Sequence, residues 1–123
     1  MNSGDLKIVN ANIITPNRIF ERGCIVVKEG KIVSVSDSDM GDSEMFVIDA
    51  DGNYATPGFI DIHVHGGFGH DFMDNTLQAF LEIARFHARH GTTSFMPTTL
   101  SCEADALQQT IRMYETADKL NTM

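Results

Sequence analysis

The chain has 123 residues, a formal net charge of −8, 42% hydrophobic residues and 21% charged residues, which is typical of about one globular domain and excludes a disordered chain. The acidic balance argues against a nucleic-acid-binding protein, because such proteins need a basic patch. No apolar run approaches the roughly 20 residues of a membrane span and no stretch resembles a secretory signal, so we expect a cytoplasmic protein. Cys24 and Cys102 are far apart and are expected to be reduced thiols.

Residues 1–56 are predicted to form a small β-rich lobe. Short apolar segments rich in β-branched residues alternate there with turn residues. The runs Cys24–Val27 and Lys31–Val35 flank a short loop that contains Gly30, which indicates a β-hairpin. Several short strands at this spacing favour a small β-sandwich or a partial barrel.

From Pro57 onward the pattern alternates between strand and helix. The segment 58–64 is apolar apart from Asp61 and His63, which predicts a strand buried on both faces. A helical periodicity over 76–90 is followed by a second strand over 92–96 and then a second helix. This order is the βαβα unit of a parallel α/β sheet or barrel, so residues 57–123 are predicted to begin a β/α barrel.

Capping residues mark the ends of the two predicted helices. Asp74 or Thr76 is suited to cap the start of the first helix, and Gly91 suits a left-handed conformation after its end. Ser101 is predicted to cap the second helix. The second helix is expected to bury one face, formed by Ala104, Leu107, Ile111 and Tyr114.

A pair of histidines at the end of the first predicted strand of this region is the main chemical signal. Side chains alternate along a strand, so Asp61, His63 and His65 are expected on one face. Two imidazoles two residues apart can reach one cation, and neutral imidazole suits Zn, Fe, Ni and Cu. The glycines at 66 and 67 would let the backbone turn away and leave the space above the pair open. A chance occurrence of His-x-His is the competing interpretation.

The other polar candidates have structural interpretations. His70 is expected in an exposed loop, and His90 beside Gly91 suits the negative end of a helix dipole. Asp71 and Asp74 are interpreted as caps. Turn stabilisation and substrate contact are equally compatible with Thr98 and Thr99.

Three motifs resemble a known family. The segment 57–66, Pro-Gly-Phe-Ile-Asp-Ile-His-Val-His-Gly, resembles the first barrel strand of the amidohydrolase superfamily, and the β-rich segment before it resembles that superfamily's N-terminal lobe. The segments 65–74 and 91–99 are similar to the N-acetylglucosamine-6-phosphate deacetylase family. The resemblance runs through the whole chain in order. It implies an α/β fold in which a small β-sandwich lobe precedes the first two βα units of a TIM-type barrel.

The resemblance also implies an activity and a cofactor. The family removes acetyl from N-acetylglucosamine 6-phosphate, giving glucosamine 6-phosphate and acetate, with a divalent metal, Zn or Fe, that activates water. His63 and His65 are the positions that match metal ligands, and Asp61 is expected to support the strand end by hydrogen bonding. Some members lack the pair and hold one metal through later residues, so its presence here points to a site for a second metal. The implied partners are an amino-sugar phosphate substrate and a second copy in a dimer, with neither nucleic acid nor membrane.

The remainder of the family's active site has no counterpart in the 123 residues. The bridging Glu, the later His ligands, the catalytic Asp and the phosphate-binding groups belong to later strands of the family, and a complete barrel needs roughly 200 residues or more. We therefore expect an N-terminal fragment without deacetylase activity of its own, which associates with itself or with the missing remainder. No catalytic or substrate-binding residue is assigned within it.

Two alternatives remain open at the level of the sequence. A dihydroorotase-like or nucleobase-deaminase-like amidohydrolase explains the histidine pair equally well, but it does not explain the loop over 71–74. A non-enzymatic β-domain would act as an interaction or metal-sequestering module, and its exposed apolar faces would favour association.

Overall fold

The computed structural model describes residues 5–38 and 45–121. Contacts divide the chain into two compact units, with the boundary between Pro57 and Gly58. The first unit contains five strands: β1 (Leu6–Ile14), β2 (Ile19–Lys28), β3 (Lys31–Ser36), β4 (Phe46–Asp49) and β5 (Tyr54–Ala55). The second contains, in order, β6 (Phe59–Val64), β7 (Gly66–Gly67), β8 (His70–Asp71), a 3-10 turn (Phe72–Asp74), α1 (Leu77–Arg89), β9 (Thr92–Pro97) and α2 (Ala104–Leu120).

The five strands of the first unit form one mixed sheet. Its order is β3-β2-β1-β4, and β5 also pairs with β1; β4 and β5 run parallel to β1, whereas the other pairs are antiparallel. The predicted hairpin is present, since Lys28 pairs with Lys31 and the loop residues Glu29 and Gly30 have φ of 51° and 73°, as a type I′ turn requires. The sheet buries a cluster built on Ala11, Ile13 and Ile25.

The second unit has the predicted order of strand, helix, strand and helix. β6 and β9 are parallel neighbours, and α1 is the crossover between them. The Thr76 hydroxyl caps α1 by accepting a hydrogen bond from Ala79 N at 3.2 Å, and Gly91 follows the helix with φ of 89°. The core of this unit consists of Val64, Phe72, Phe80, Ile83 and Ala117.

The prediction that β6 is buried on both faces is wrong. Phe59 is 62% exposed and Ile60 and Ile62 are each 72% exposed, whereas Val64 is buried at 4%. The physical reason is the cover over the faces of the strand: the buried cluster of this unit includes Val64 but none of Phe59, Ile60 and Ile62. α1 and α2 cover the end of the strand where Val64 packs against Phe72, and they leave its beginning uncovered.

Two predictions about α2 are also wrong. The helix begins at Ala104, with Glu103 as an N-cap that makes no side-chain bond, so Ser101 lies before the helix and does not cap it. The predicted buried face stays partly exposed at Leu107, Ile111 and Tyr114 (36%, 49% and 42%). The face that packs inward carries Thr110, Met113 and Ala117 instead. The spacing of these three residues is also helical, so periodicity alone did not separate the two faces.

Candidate metal-binding site

The two histidines of the motif converge at the C-terminal end of β6. His63 Nε2 and His65 Nε2 are 3.0 Å apart, and the ring planes meet at 72° with centroids 4.9 Å apart. This arrangement follows from the alternation of side chains along an extended strand, which puts residues i and i+2 on one face. The predicted juxtaposition of the pair is therefore present, and the two Nε2 atoms lie within hydrogen-bond distance of each other, the tautomers deciding which one donates.

Asp61 supports the strand rather than the histidine rings. Its Oδ1 accepts a hydrogen bond from His63 N at 3.1 Å, which fixes the backbone two residues further along. The expected hydrogen-bonding role of Asp61 is confirmed. The bond links the backbone at the start of the His-Val-His segment to the residue two positions before it.

The distance between the two Nε2 atoms suits a shared cation, whereas one ring nitrogen of His65 lacks a hydrogen-bond partner among the described residues. Bonds from Zn to imidazole nitrogen are about 2.0–2.1 Å long, so two Nε2 atoms 3.0 Å apart can contact a single ion. His65 Nδ1 is buried and has no hydrogen-bond partner among the described residues, although metal-ligating histidines usually donate through the second ring nitrogen. The pair is therefore suited to be part of a metal site whose outer partner comes from elsewhere.

Residues 5–38 and 45–121 contain no group of three or more His, Cys, Asp or Glu side chains arranged to hold a metal ion. Structural and catalytic zinc sites use three or four protein ligands. The histidine pair is thus an incomplete ligand set in the described part of the chain.

The backbone on both sides of His65 is held by three neighbouring segments. Thr98 bonds to both polar backbone groups of Val64, and Phe72 N donates to His65 O at 3.0 Å. His87 Nε2, on α1, lies 3.2 Å from Gly66 O, which it can reach as a donor when Nε2 carries the proton. The strand end that carries the pair is consequently fixed from β9, from the 3-10 turn and from α1.

The glycines after the pair serve close packing. β7 pairs with β8, so that Gly66 lies opposite Asp71 and Gly67 opposite His70. A Cβ at Gly66 would overlap the carbonyl oxygen of His70, and one at Gly67 would come within 3.0 Å of the Phe86 ring. Where we expected a steep exit from the strand, the chain forms a short hairpin packed against α1.

Asp71, Asp74 and His90 have the structural roles that their positions indicated, whereas the prediction of an exposed loop at His70 is wrong. Asp71 caps the 3-10 turn by accepting from Met73 N, and Asp74 completes a capping box with it. His70 is part of β8 rather than an exposed loop, with Nδ1 3.8 Å from Asp74 Oδ2. His90 Nδ1 lies 2.8 Å from Phe86 O at the end of α1.

Sequence reasoning missed His87 and left Thr98 undecided. His87 is half-buried, and its ring contacts Phe86 and Phe95 with centroids 5.5 Å away in each case. A histidine one turn from the end of an amphipathic helix gives no signal of a bond to a distant carbonyl. Thr98, directly after a strand that ends in proline, gave a signal of a polar role but not of its partner.

No helix in the described ranges is both long and apolar enough to cross a membrane. Cys24 is buried and Cys102 exposed, and neither forms a disulfide.

Comparisons with known proteins identify relatives by sequence and by fold, and they include sugar-phosphate deacetylases and a nucleobase deaminase. No protein-family model matches the chain. The chain is 33% identical over 107 residues to N-acetylglucosamine-6-phosphate deacetylase of Bacillus subtilis, which covers 86% of this chain and 27% of that protein. It is 32% identical over 93 residues to adenine deaminase 2 of Desulfotalea psychrophila, which covers 75% of this chain and 14% of that protein.

The fold agrees with the sequence match. The crystal structure of N-acetylglucosamine-6-phosphate deacetylase from Pasteurella multocida superimposes with a TM-score of 0.87 at 23% identity, covering 96% of this chain and 31% of that one. The chain therefore spans less than a third of the length of these two deacetylases. In sequence and in fold, it corresponds to the N-terminal portion of the N-acetylglucosamine-6-phosphate deacetylases.

Proposed function

We propose that the chain supplies the N-terminal part of a metal-dependent amide hydrolase, which converts N-acetylglucosamine 6-phosphate to glucosamine 6-phosphate and acetate. The observation that carries the proposal is the convergence of His63 Nε2 and His65 Nε2 at 3.0 Å, in a chain that is 33% identical to a deacetylase of that specificity. Residues 1–56 would belong to a small β-sandwich lobe, and residues 57–123 to the first two βα units of a barrel.

The parallel pair β6 and β9 with its helical crossover supports the barrel assignment. In β/α barrels the active site lies at the C-terminal ends of the strands, and this is the end of β6 where the histidines lie. His63 and His65 would hold a divalent metal, Zn or Fe, through Nε2 in each case. Such an ion lowers the pKa of water and polarises the amide carbonyl.

The histidine pair can be tested as a metal site on the chain itself. We expect the 123-residue chain to bind Zn²⁺ weakly in isothermal titration calorimetry, because it offers two converging ligands where strong sites use three or four. His63→Ala and His65→Ala should each abolish the binding heat. His90→Ala is the matched control, since His90 lies on α1 and bonds to Phe86 O. Binding that survives both substitutions in the pair would contradict the assignment.

We further propose that the chain by itself does not catalyse deacetylation, because the described residues provide no group of three or more His, Cys, Asp or Glu side chains that could hold a metal ion. The measurement is steady-state acetate release from N-acetylglucosamine 6-phosphate with added Zn²⁺ or Fe²⁺, beside the Bacillus subtilis deacetylase as positive control. Turnover comparable to that of the control would refute the proposal.

The proposed substrate is tested by supplying the absent portion. In a chimera, this chain replaces the corresponding N-terminal portion of the Bacillus subtilis deacetylase, and acetate release is expected. A chimera that folds and binds metal but releases no acetate would contradict the deacetylase assignment.

A nucleobase deaminase is the second candidate, favoured by the 32% identity with adenine deaminase 2. The discriminating measurement is ammonia release from adenine by a second chimera, in which this chain replaces the matching segment of that deaminase. Activity in the deaminase chimera together with none in the deacetylase chimera would reverse the order of the two candidates.

A further inference from the structure

A single residue of β9's C-terminal extension holds both backbone polar groups of Val64. Thr98 N donates to Val64 O at 2.7 Å, and the Thr98 hydroxyl accepts a hydrogen bond from Val64 N at 3.2 Å. The same hydroxyl donates to Met96 O at 3.2 Å. The side chain thus lies between an N–H of β6 and a carbonyl of β9, and its one proton and one lone pair are both used.

Val64 is the residue between the two histidines, so these bonds act on the histidines directly. Val64 N belongs to the peptide plane that contains the Cα of His63, and Val64 O belongs to the plane that contains the Cα of His65. Fixing both planes restricts the directions in which the two Cα–Cβ bonds leave the strand, because each Cβ can then turn only about the Cα–C bond of His63 or the N–Cα bond of His65. The Val64 side chain is itself buried, at 4% exposure, against the cluster with Phe72 and Phe80.

We propose that Thr98 is a positioning residue for the histidine pair: its hydroxyl and its N–H hold the peptide planes on either side of Val64 and so set the spacing of His63 Nε2 and His65 Nε2. The inference rests on the proposed function only in assigning a metal to the pair. The spacing itself, 3.0 Å in this structure, is a property of the chain without metal.

A role in turn stabilisation alone would need only the bond from the Thr98 hydroxyl to Met96 O, two residues back. The bond from Val64 N crosses to the other strand and spans 34 residues of sequence. Thr99 is the natural comparison, because it is also half-buried and no side-chain hydrogen bond from it to β6 is present in the described part of the chain.

The test uses the whole chain with three substitutions. Thr98→Val keeps the shape and the backbone N–H but removes the hydroxyl, Thr98→Ser keeps the hydroxyl, and Thr99→Val removes the neighbouring hydroxyl as a control. Two quantities are measured: the nuclear Overhauser effect between the His63 and His65 rings without metal, and Zn²⁺ affinity by calorimetry. We expect Thr98→Val to weaken the inter-ring effect and to lower Zn²⁺ affinity about tenfold, as loss of outer support typically does. Thr98→Ser and Thr99→Val should match the parent.

The outcomes separate this proposal from the metal assignment. If the parent chain shows the inter-ring effect but no Zn²⁺ binding, the metal assignment fails and the positioning role is judged by the inter-ring effect alone. An unchanged inter-ring effect in Thr98→Val overturns the positioning role, whatever the metal result. If Thr98→Val gives a collapsed amide spectrum, Thr98→Ser decides, because a folded Thr98→Ser that loses the inter-ring effect also overturns the proposal.

Discussion

Among the described residues, Asp49, the last residue of β4, is the carboxylate whose pKa departs clearly from its ordinary value. The side-chain amide of Asn10 donates to Asp49 Oδ1 at 2.9 Å, and Asp51 N donates to the same oxygen at 2.9 Å. Both bonds favour the ionised form and lower the pKa of Asp49 below its ordinary value, the bond from Asn10 most of all. The positive charge of Arg22 lowers it further, by less. These contacts link the end of β4 to the irregularity in β1, where Asn10 has φ of 56°.

The lowered pKa of Asp49 has a consequence for stability against acid. Because the folded chain holds this proton less tightly than the unfolded chain does, the contribution is present above the unfolded pKa and is lost as the pH falls through the native one. We expect Asn10→Gly, which tolerates the positive φ but removes the donor, to raise the pKa of Asp49 towards its ordinary value. Carboxyl-carbon NMR titration measures it.

Arg22→Gly is the matched control for Asn10→Gly, since Arg22 also has a positive φ, 50°, and is the last of the causes that lower this pKa. It should raise the pKa of Asp49 by less than Asn10→Gly does. A shift in Arg22→Gly as large as that in Asn10→Gly would contradict the Asn10 hydrogen bond as the main cause of the lowered pKa of Asp49.

The pairing of His63 with His65 was predictable, and the bonds that hold it were not. Alternation along a strand is a local rule, so a His-x-His motif fixes which side the two rings share before any tertiary contact is known. The bond between His87 and Gly66 O joins residues 21 apart, and that between Thr98 and Val64 joins residues 34 apart. Such partners depend on how α1 and β9 pack, which the local pattern does not contain.

At the scale of elements, the order of strands and helices followed from periodicity and turn residues, whereas burial did not. The apolar run over 58–64 predicts a strand that is covered on both faces, as strands are in a parallel sheet with layers packed on both sides. Here Ile60 and Ile62 are exposed because the core cluster packs against β6 only at Val64. The apolar composition of a segment indicates which side chains can be buried, whereas the elements packed against the segment determine which of them are buried.

Substitutions in the hairpin of β7 and β8 can separate two reasons for glycine after the histidines. One reason is the close approach of the paired backbone, and the other is a backbone conformation with positive φ. Gly66→Ala would place a methyl group on the His70 carbonyl oxygen, which lies in the paired strand. We expect a loss of unfolding free energy near the top of the roughly 1–3 kcal/mol range of overpacking, measured by urea denaturation. The strand end that carries His65 should shift with it.

Gly69→Ala is the control in the same hairpin. Gly69 has φ of 80° and open space around its missing Cβ, so the substitution costs only the left-handed conformation, about 1 kcal/mol. A Gly69→Ala variant as unstable as Gly66→Ala would show that backbone conformation, and not the close approach to His70, determines the need for glycine here.

At the scale of the whole molecule, the described surface retains apolar side chains that folded monomers usually cover. Ile60 and Ile62 are each 72% exposed on β6, and Phe59 and Met96 are 62% and 61% exposed on the same two-stranded sheet. Large contiguous apolar surface in a water-soluble protein marks a site of association or of aggregation. The deacetylases that match this chain are more than three times its length.

We therefore expect the chain to self-associate through the β6–β9 sheet as its concentration rises. Ile60→Thr with Ile62→Thr keeps β-branched side chains in the strand but removes most of the apolar surface, and it should shift the chain towards monomer in sedimentation velocity. The matched control is Ile32→Thr with Val33→Thr on β3, where the side chains are 67% and 56% exposed. If exposure alone drove association, both pairs of substitutions would act equally. Only a selective effect at β6 ties association to this sheet, and a double β6 variant that associates like the parent chain would contradict it.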